Sequence, residues 1–149
     1  MNALELLQKD HDEVRRLFNL FKSSSDENEH RKIFETIKTE LDSHSHIEEI
    51  VFYPAVEDQD DEDLATLVDE AFEEHEDVDM LLEEIDRLNR TRAELRPKMI
   101  ELMERVEHHA SEEENEMFPK VREIITGEEL DRLGEELRAE KESYSRAVP

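Results

Sequence analysis

The stretch His44-Ser45-His46-Ile47-Glu48-Glu49-Ile50-Val51-Phe52-Tyr53-Pro54 decides how this chain is read, because it occurs twice. His109-Ala110-Ser111-Glu112-Glu113-Glu114-Asn115-Glu116-Met117-Phe118-Pro119 repeats its plan 65 residues later. In each copy a histidine is followed four residues on by a glutamate, then by a second glutamate, and finally by an aromatic residue and a proline. A helix turns once in about 3.6 residues, so the histidine and the first glutamate share a face. That face is the apolar one. Ile37 and Leu41 lead into His44, Glu48 and Val51, and Leu102 and Val106 lead into His109, Glu113 and Met117, at steps of three and four.

Outward from these stretches, each copy is preceded by another amphipathic helix. Leu4, Leu7, His11, Val14, Phe18 and Phe21 form one stripe, and Val68, Ala71, His75, Val78, Leu82 and Ile85 form its counterpart, 64 residues on. Asp10-His11-Asp12-Glu13-Val14 and Glu74-His75-Glu76-Asp77-Val78 match residue by residue in character. The chain is therefore two helical hairpins in tandem. Ser23 to Asn28 is a turn-and-cap cluster between the first two helices, and Glu57 to Asp63 is an acidic link. Pro54 is expected to end the second helix near Tyr53. The third helix should stop between Leu88 and Pro97, and the fourth should run from Pro97 to Pro119. Thr126 followed by Glu129 resembles a capping box opening a short fifth helix, to about Tyr144, whose Leu130, Leu133 and Leu137 lie across the bundle. The expected fold is all-α: an up-down-up-down four-helix bundle over residues 1–125, with residues 126–149 a C-terminal helix and tail on the same domain.

Composition narrows the function. The 149 residues include 44 acidic and 19 basic side chains, a formal net charge of −25, with two glycines, four prolines and no cysteine. Nucleic acid and anionic membrane surfaces are poor partners for such a chain. Thiolate chemistry is excluded, so a metal would rest on nitrogen and oxygen. The N-terminal residues lack a basic segment followed by a long apolar run, and no stretch of about 18 apolar residues occurs. A cytoplasmic protein is expected, a monomer or a weak homodimer.

His11, His44, Glu48, His75, His109 and Glu113 all interrupt apolar seams, equivalently in the two halves. Burying four imidazoles and two carboxylates costs several kcal/mol unless they are paired or bind a cation. A metal-free His–Glu network is the alternative reading. Six such ligands exceed one tetrahedral zinc but suit two ions bridged by carboxylates, about 3.5–4 Å apart. Affinity order does not choose iron over zinc, copper or manganese. His46 and His108 lie off the seam. Glu-x-x-His occurs only at Glu27/His30, and Asp58 to Asp63 fails a calcium loop because Asp63 stands at the position that needs glycine.

In these residues the chain resembles the hemerythrin-like proteins of the HHE cation-binding group, over Met1 to Ile125. The resemblance implies a non-haem di-iron centre, oxo- or hydroxo-bridged, with His11, His44, His75 and His109 as nitrogen ligands and Glu48 and Glu113 as bridging carboxylates. One departure stands out. Oxygen-carrying relatives have His-x-x-x-His on the third helix, whereas here Asp79 follows His75 and Ala71 precedes it. Asp79 is either an oxygen ligand or part of an ion pair. The resemblance implies binding of dioxygen or a related small ligand, or sensing of oxygen, iron or redox state. A redox enzyme acting on hydrogen peroxide or nitric oxide, and a metal-free acidic interaction protein, are the alternatives. Tyr53 and Tyr144 are read as packing residues.

Overall fold

The computed structural model describes residues 1–147, and the tail at 148–149 lies outside the described residues. The elements are α1 (Ala3–Ser23), α2 (Glu27–Ile47), a π-helical turn (Glu48–Phe52), α3 (Tyr53–Glu57), α4 (Glu62–Arg90), α5 (Arg96–Glu112), a second π-helical turn (Glu113–Met117), α6 (Phe118–Ile124) and α7 (Gly127–Ala147). Helix starts carry chemical marks. Asn2 and Glu5 exchange side-chain bonds to each other's N–H, both at 2.9 Å, which satisfies two of the orphan donors of α1. Asp26 accepts from the Asn28 N–H at 2.8 Å and Asp61 from the Leu64 N–H at 3.0 Å. Thr126 accepts from the Glu129 N–H at 3.2 Å, as the capping signal requires.

Pro54 does not end the second helix. The rod α2, π turn and α3 runs on to Glu57, and α5, π turn and α6 likewise pass through Pro119 to Ile124. A proline inside a helix clashes with the carbonyl four residues back and lacks a donor. Here a widened turn precedes each proline: the N–H of Tyr53 bonds to the Glu48 carbonyl and that of Phe118 to the Glu113 carbonyl, one residue further back than in an α-helix. The extra residue also rotates the seam. Phe52 and Tyr53 are fully buried, and Val51, expected on the seam, is only half-buried.

The four rods pack as a ring: α1 beside α2, the second rod beside α4, α4 beside α5, and α5 with its π turn back against α1. Two apolar clusters fill the ring. One gathers Leu7, Phe52, Val68, Phe118 and their neighbours, and the other gathers Phe21, Phe34, Ile37, Ile85 and Leu102 with theirs. The six polar seam residues form a layer between them. α7 spans 21 residues, three beyond the expected end, and buries Leu130, Leu133 and Leu137 in the first cluster. It crosses the start of α1 at Gly134, where a Cβ would collide with the Met1 carbonyl oxygen. Among the described residues no helix is long and apolar enough to cross a membrane.

Candidate metal centre

All six seam residues are buried, and the structure brings them together. His11, His44, Glu48 and Glu113 form one group and Glu48, His75 and His109 another, the ligand atoms of each lying within 4.8 Å of one another. Glu48 belongs to both. Its Oε1 lies 3.3 Å from His44 Nε2 and 3.0 Å from His75 Nε2. Glu113 also spans the halves, with Oε1 3.1 Å from His11 Nε2 and Oε2 3.6 Å from His109 Nε2.

Four further carboxylates hold the rings. Asp10 meets His44 Nδ1 at 2.9 Å, Glu49 meets His75 Nδ1 at 2.7 Å, Glu74 meets His109 Nδ1 at 2.8 Å and Glu114 meets His11 Nδ1 at 2.7 Å. Each is the chain neighbour of one ligand and serves the histidine of the next rod, so the four bonds close a circuit around the bundle. A carboxylate at Nδ1 places the proton there and leaves Nε2 as an inward-facing acceptor. Sequence reasoning quoted these residues inside the repeat without seeing their part. The signal was the doubled Asp/Glu-His and Glu-Glu pairs.

With Nδ1–H committed outward, the inward nitrogens crowd one another. His75 Nε2 lies 3.1 Å from His109 Nε2. Two acceptors at that distance need a proton or a metal ion between them. His44 Nε2 and Glu48 Oε2 are buried without a hydrogen-bond partner. Buried orphans are costly, and a cation satisfies both. The donor set of imidazole nitrogen and carboxylate oxygen, with no thiolate, fits iron, manganese or zinc. In the metal-free chain protons fill the same part. Burial alone would depress the His44 pKa, but the Glu48 charge and the Asp10 bond outweigh it and push it up to about 10. Burial acts the same way on His75, where bonds to Glu48 and Glu49 raise the pKa to about 8. Glu48, despite burial, is held well below the usual carboxylate range by His44 and the other imidazoles.

Tyr53 is the residue most changed by the structure. Its Oη donates to Glu113 Oε2 at 2.5 Å and lies 3.1 Å from Glu48 Oε1, 3.3 Å from His75 Nε2 and 3.5 Å from His109 Nε2. It is part of the centre and not only a packing residue. In an unbroken α-helix Tyr53 would point about 140° away from Glu48, at 3.6 residues per turn. The π turn brings it inward. Burial, then the Glu113 and Glu48 charges, raise its pKa well above the usual phenol value, so it stays neutral. Its repeat partner, Phe118, stacks parallel to the His11 ring at 6.1 Å.

On the other side of the layer lies a cavity of ≈ 30 Å³ between the four histidines and an apolar wall of Val14, Leu41, Val78 and Val106. Asp79 is exposed and belongs to neither ligand group. His30 is buried but bonds to the carbonyls of Phe21 and Ser24, pinning the first link. His46 pairs with Glu140 and its ring stacks on Tyr144, and His108 is exposed beside Glu74 and Glu112.

The description "Hemerythrin HHE cation binding domain" matches residues 2–121. A crystal structure of a hemerythrin HHE cation binding domain-containing protein from Mycobacterium kansasii is similar at 29% identity, with a TM-score of 0.83 over 99% of this chain and 89% of that one. A "DNA nickase" from Nostoc sp. is 27% identical over 141 residues, 95% of this chain but 39% of that protein, so the chain spans about two fifths of the curated relative it matches. With the bundle, the doubled motif and the buried imidazole–carboxylate layer all in place, the chain belongs to the hemerythrin HHE cation-binding family.

Proposed function

We propose that the chain holds two iron ions in the central layer and binds a small diatomic ligand, dioxygen or nitric oxide, beside them. The observation that carries the reading is the layer itself: inward nitrogens 3.1 Å apart and two orphaned ligand atoms, with Glu48 shared between two ligand groups. His11 and His44 would hold one ion and His75 and His109 the other, with Glu48 and Glu113 bridging. An iron pair held there would supply redox electrons for binding such a ligand. The protein's own residues do the rest. The four carboxylates at Nδ1 hold the rings in register, Tyr53 holds Glu113, and the two apolar clusters keep bulk water out. The cavity admits a molecule about the size of one or two waters, since a single water needs about 10–15 Å³. Its apolar wall suits an uncharged gas.

Strand nicking, named for the Nostoc protein, is not carried over. The match covers 39% of that protein, and a net charge of −25 opposes approach to a phosphate backbone. The test is anaerobic loading with ferrous ion, metal analysis, and optical spectra under argon, dioxygen, nitric oxide and peroxide. Two irons per chain and a stoichiometric spectral change are expected. A His44→Ala/His109→Ala variant that keeps full iron content would overturn the site assignment, and sustained release of dioxygen from peroxide would make the protein an enzyme instead of a binder.

A further inference from the structure

The carboxylates that hold the four histidines are not themselves held alike. Asp10 and Glu114, which serve His44 and His11, each meet a permanent cation. Lys141 Nζ lies 2.5 Å from Asp10 Oδ1, and the Arg15 guanidinium lies 2.8 and 3.2 Å from the two Glu114 oxygens. Glu49 and Glu74, which serve His75 and His109, meet no lysine or arginine among the described residues. Glu49 bonds to His75, while Glu74 faces His109, His108 and Glu112. Ligands that match across the two halves are therefore set in unmatched surroundings.

Lys141 comes from α7, which lies outside both the internal repeat and the 2–121 match. Its place is well determined. Gly134 lets α7 lie against the backbone of Met1 to Ala3, Leu137 is fully buried, and Glu140 reaches His46 of α2 at 2.8 Å while Tyr144 stacks on the same ring. α7 thus straddles α1 and α2 and delivers Lys141 to Asp10. That carboxylate is 6% exposed and spends one oxygen on Lys141 and the other on His44 Nδ1. A carboxylate fastened at both oxygens cannot rotate, and neither can the imidazole it holds. With one oxygen released, a buried anion has a single partner and the ring loses its brace.

We propose that Lys141 is a positioning residue for the His11–His44 half of the centre: by clamping the Asp10 carboxylate that braces His44, α7 sets the affinity of that half for its ion and leaves the His75–His109 half unaffected. The inference rests on the two-metal reading above. It is tested with cobalt(II) as the only added metal, by chelator competition on the full chain, in the parent, Lys141→Met and Lys141→Arg. The parent should hold two ions. Lys141→Met should keep one at parental strength and weaken the other about 10–100-fold, the range typical of lost outer partners of a metal ligand, and Lys141→Arg should restore it. The 15N resonances of His44 should shift in Lys141→Met and those of His75 should not. The helix content of the metal-free chain by circular dichroism should be alike in the Met and Arg variants, which separates positioning from a general loss of fold. Two ions held unchanged in Lys141→Met, or both weakened together, would overturn the proposal while leaving the metal centre standing. A parent chain that binds no cobalt would overturn both.

Discussion

The His11–His44 half and the His75–His109 half carry the same ligand types in the same order, yet around the ligands they diverge. The first has Phe118 stacked on an imidazole and two permanent cations behind its carboxylates; the second has a phenol against its imidazole nitrogens and, among the described residues, no such cations. The internal repeat sets out matching imidazoles and carboxylates, and the shell around them is where the halves part. Two ions bound there would meet similar donors under different fields, which is how one centre can hold two inequivalent metals.

The comparison breaks most completely at the residue the halves share. Glu48→Gln keeps the shape and removes the charge common to both ligand groups, so neither ion should be retained, whereas His11→Ala should cost only one; metal analysis after desalting reads both outcomes. Retention of one ion in Glu48→Gln would assign that carboxylate to a single half.

Next in size is the pH response, which has opposite signs with and without metal. In the metal-free chain the histidine pKa values are raised above 6.5, so their stabilising contribution is complete below about 6.5 and is lost as pH rises through about 8 for His75 and about 10 for His44. Glu48 is depressed, so its contribution is present above about 4.5 and is lost as pH falls through its lower folded value. Denaturant titrations of the metal-free chain should therefore show greatest stability between roughly pH 5 and 6.5. Metal must displace the imidazole protons, so ion affinity should rise across the same alkaline range in which the metal-free chain weakens. Parallel trends in the two forms would contradict the assignment.

Tyr53→Phe removes one hydrogen bond to the buried Glu113 carboxylate, about 1.5–3 kcal/mol for a bond to a charged acceptor, read by thermal unfolding. It would also make the two halves alike at this position, and spectra of the loaded chain should show whether the ions become more similar. A smaller effect tests how α7 touches one half. Gly134→Ala adds a methyl against the Met1 to Ala3 backbone. The overpacking cost of about 1–3 kcal/mol exceeds a helix-propensity gain of up to about 1 kcal/mol, so a net loss of about 1–2 kcal/mol is expected in thermal unfolding.

The bundle and the six buried polar residues of its central layer were legible because each of them broke an apolar stripe at a helical step, and because every break had a repeat partner. His46 and His108 lack that phase, and the structure places both outside the central layer, His46 on Glu140 and Tyr144 and His108 beside Glu74 and Glu112. The bracing carboxylates could not be told from other acidic residues, since Asp10, Glu49, Glu74 and Glu114 are four among 44 and a stripe of hydrophobicity says nothing about which exposed-looking glutamate turns toward a neighbouring rod. Tyr53 was hidden for a different reason. Its inward turn depends on one extra residue in the preceding turn, and a fixed step of 3.6 residues points it elsewhere. The same turn explains why proline did not stop the helix.

That extra residue also governs more than the phenol. The buried side chains beyond the two turns, Val56 on the second rod and Val121 on the fourth, face the core because one extra residue shifts the phase of each rod by roughly 100°. These residues help to form the cluster into which α7 inserts its leucines. The two π turns thus work as phase shifters: on the second rod the shift turns Tyr53 into the central layer, and further along both rods it aims the seat of the last helix. A single-residue change in length at either turn would misalign the ligand layer and the docking of α7 together, tying the chemistry of the centre to the geometry of the far end of the molecule.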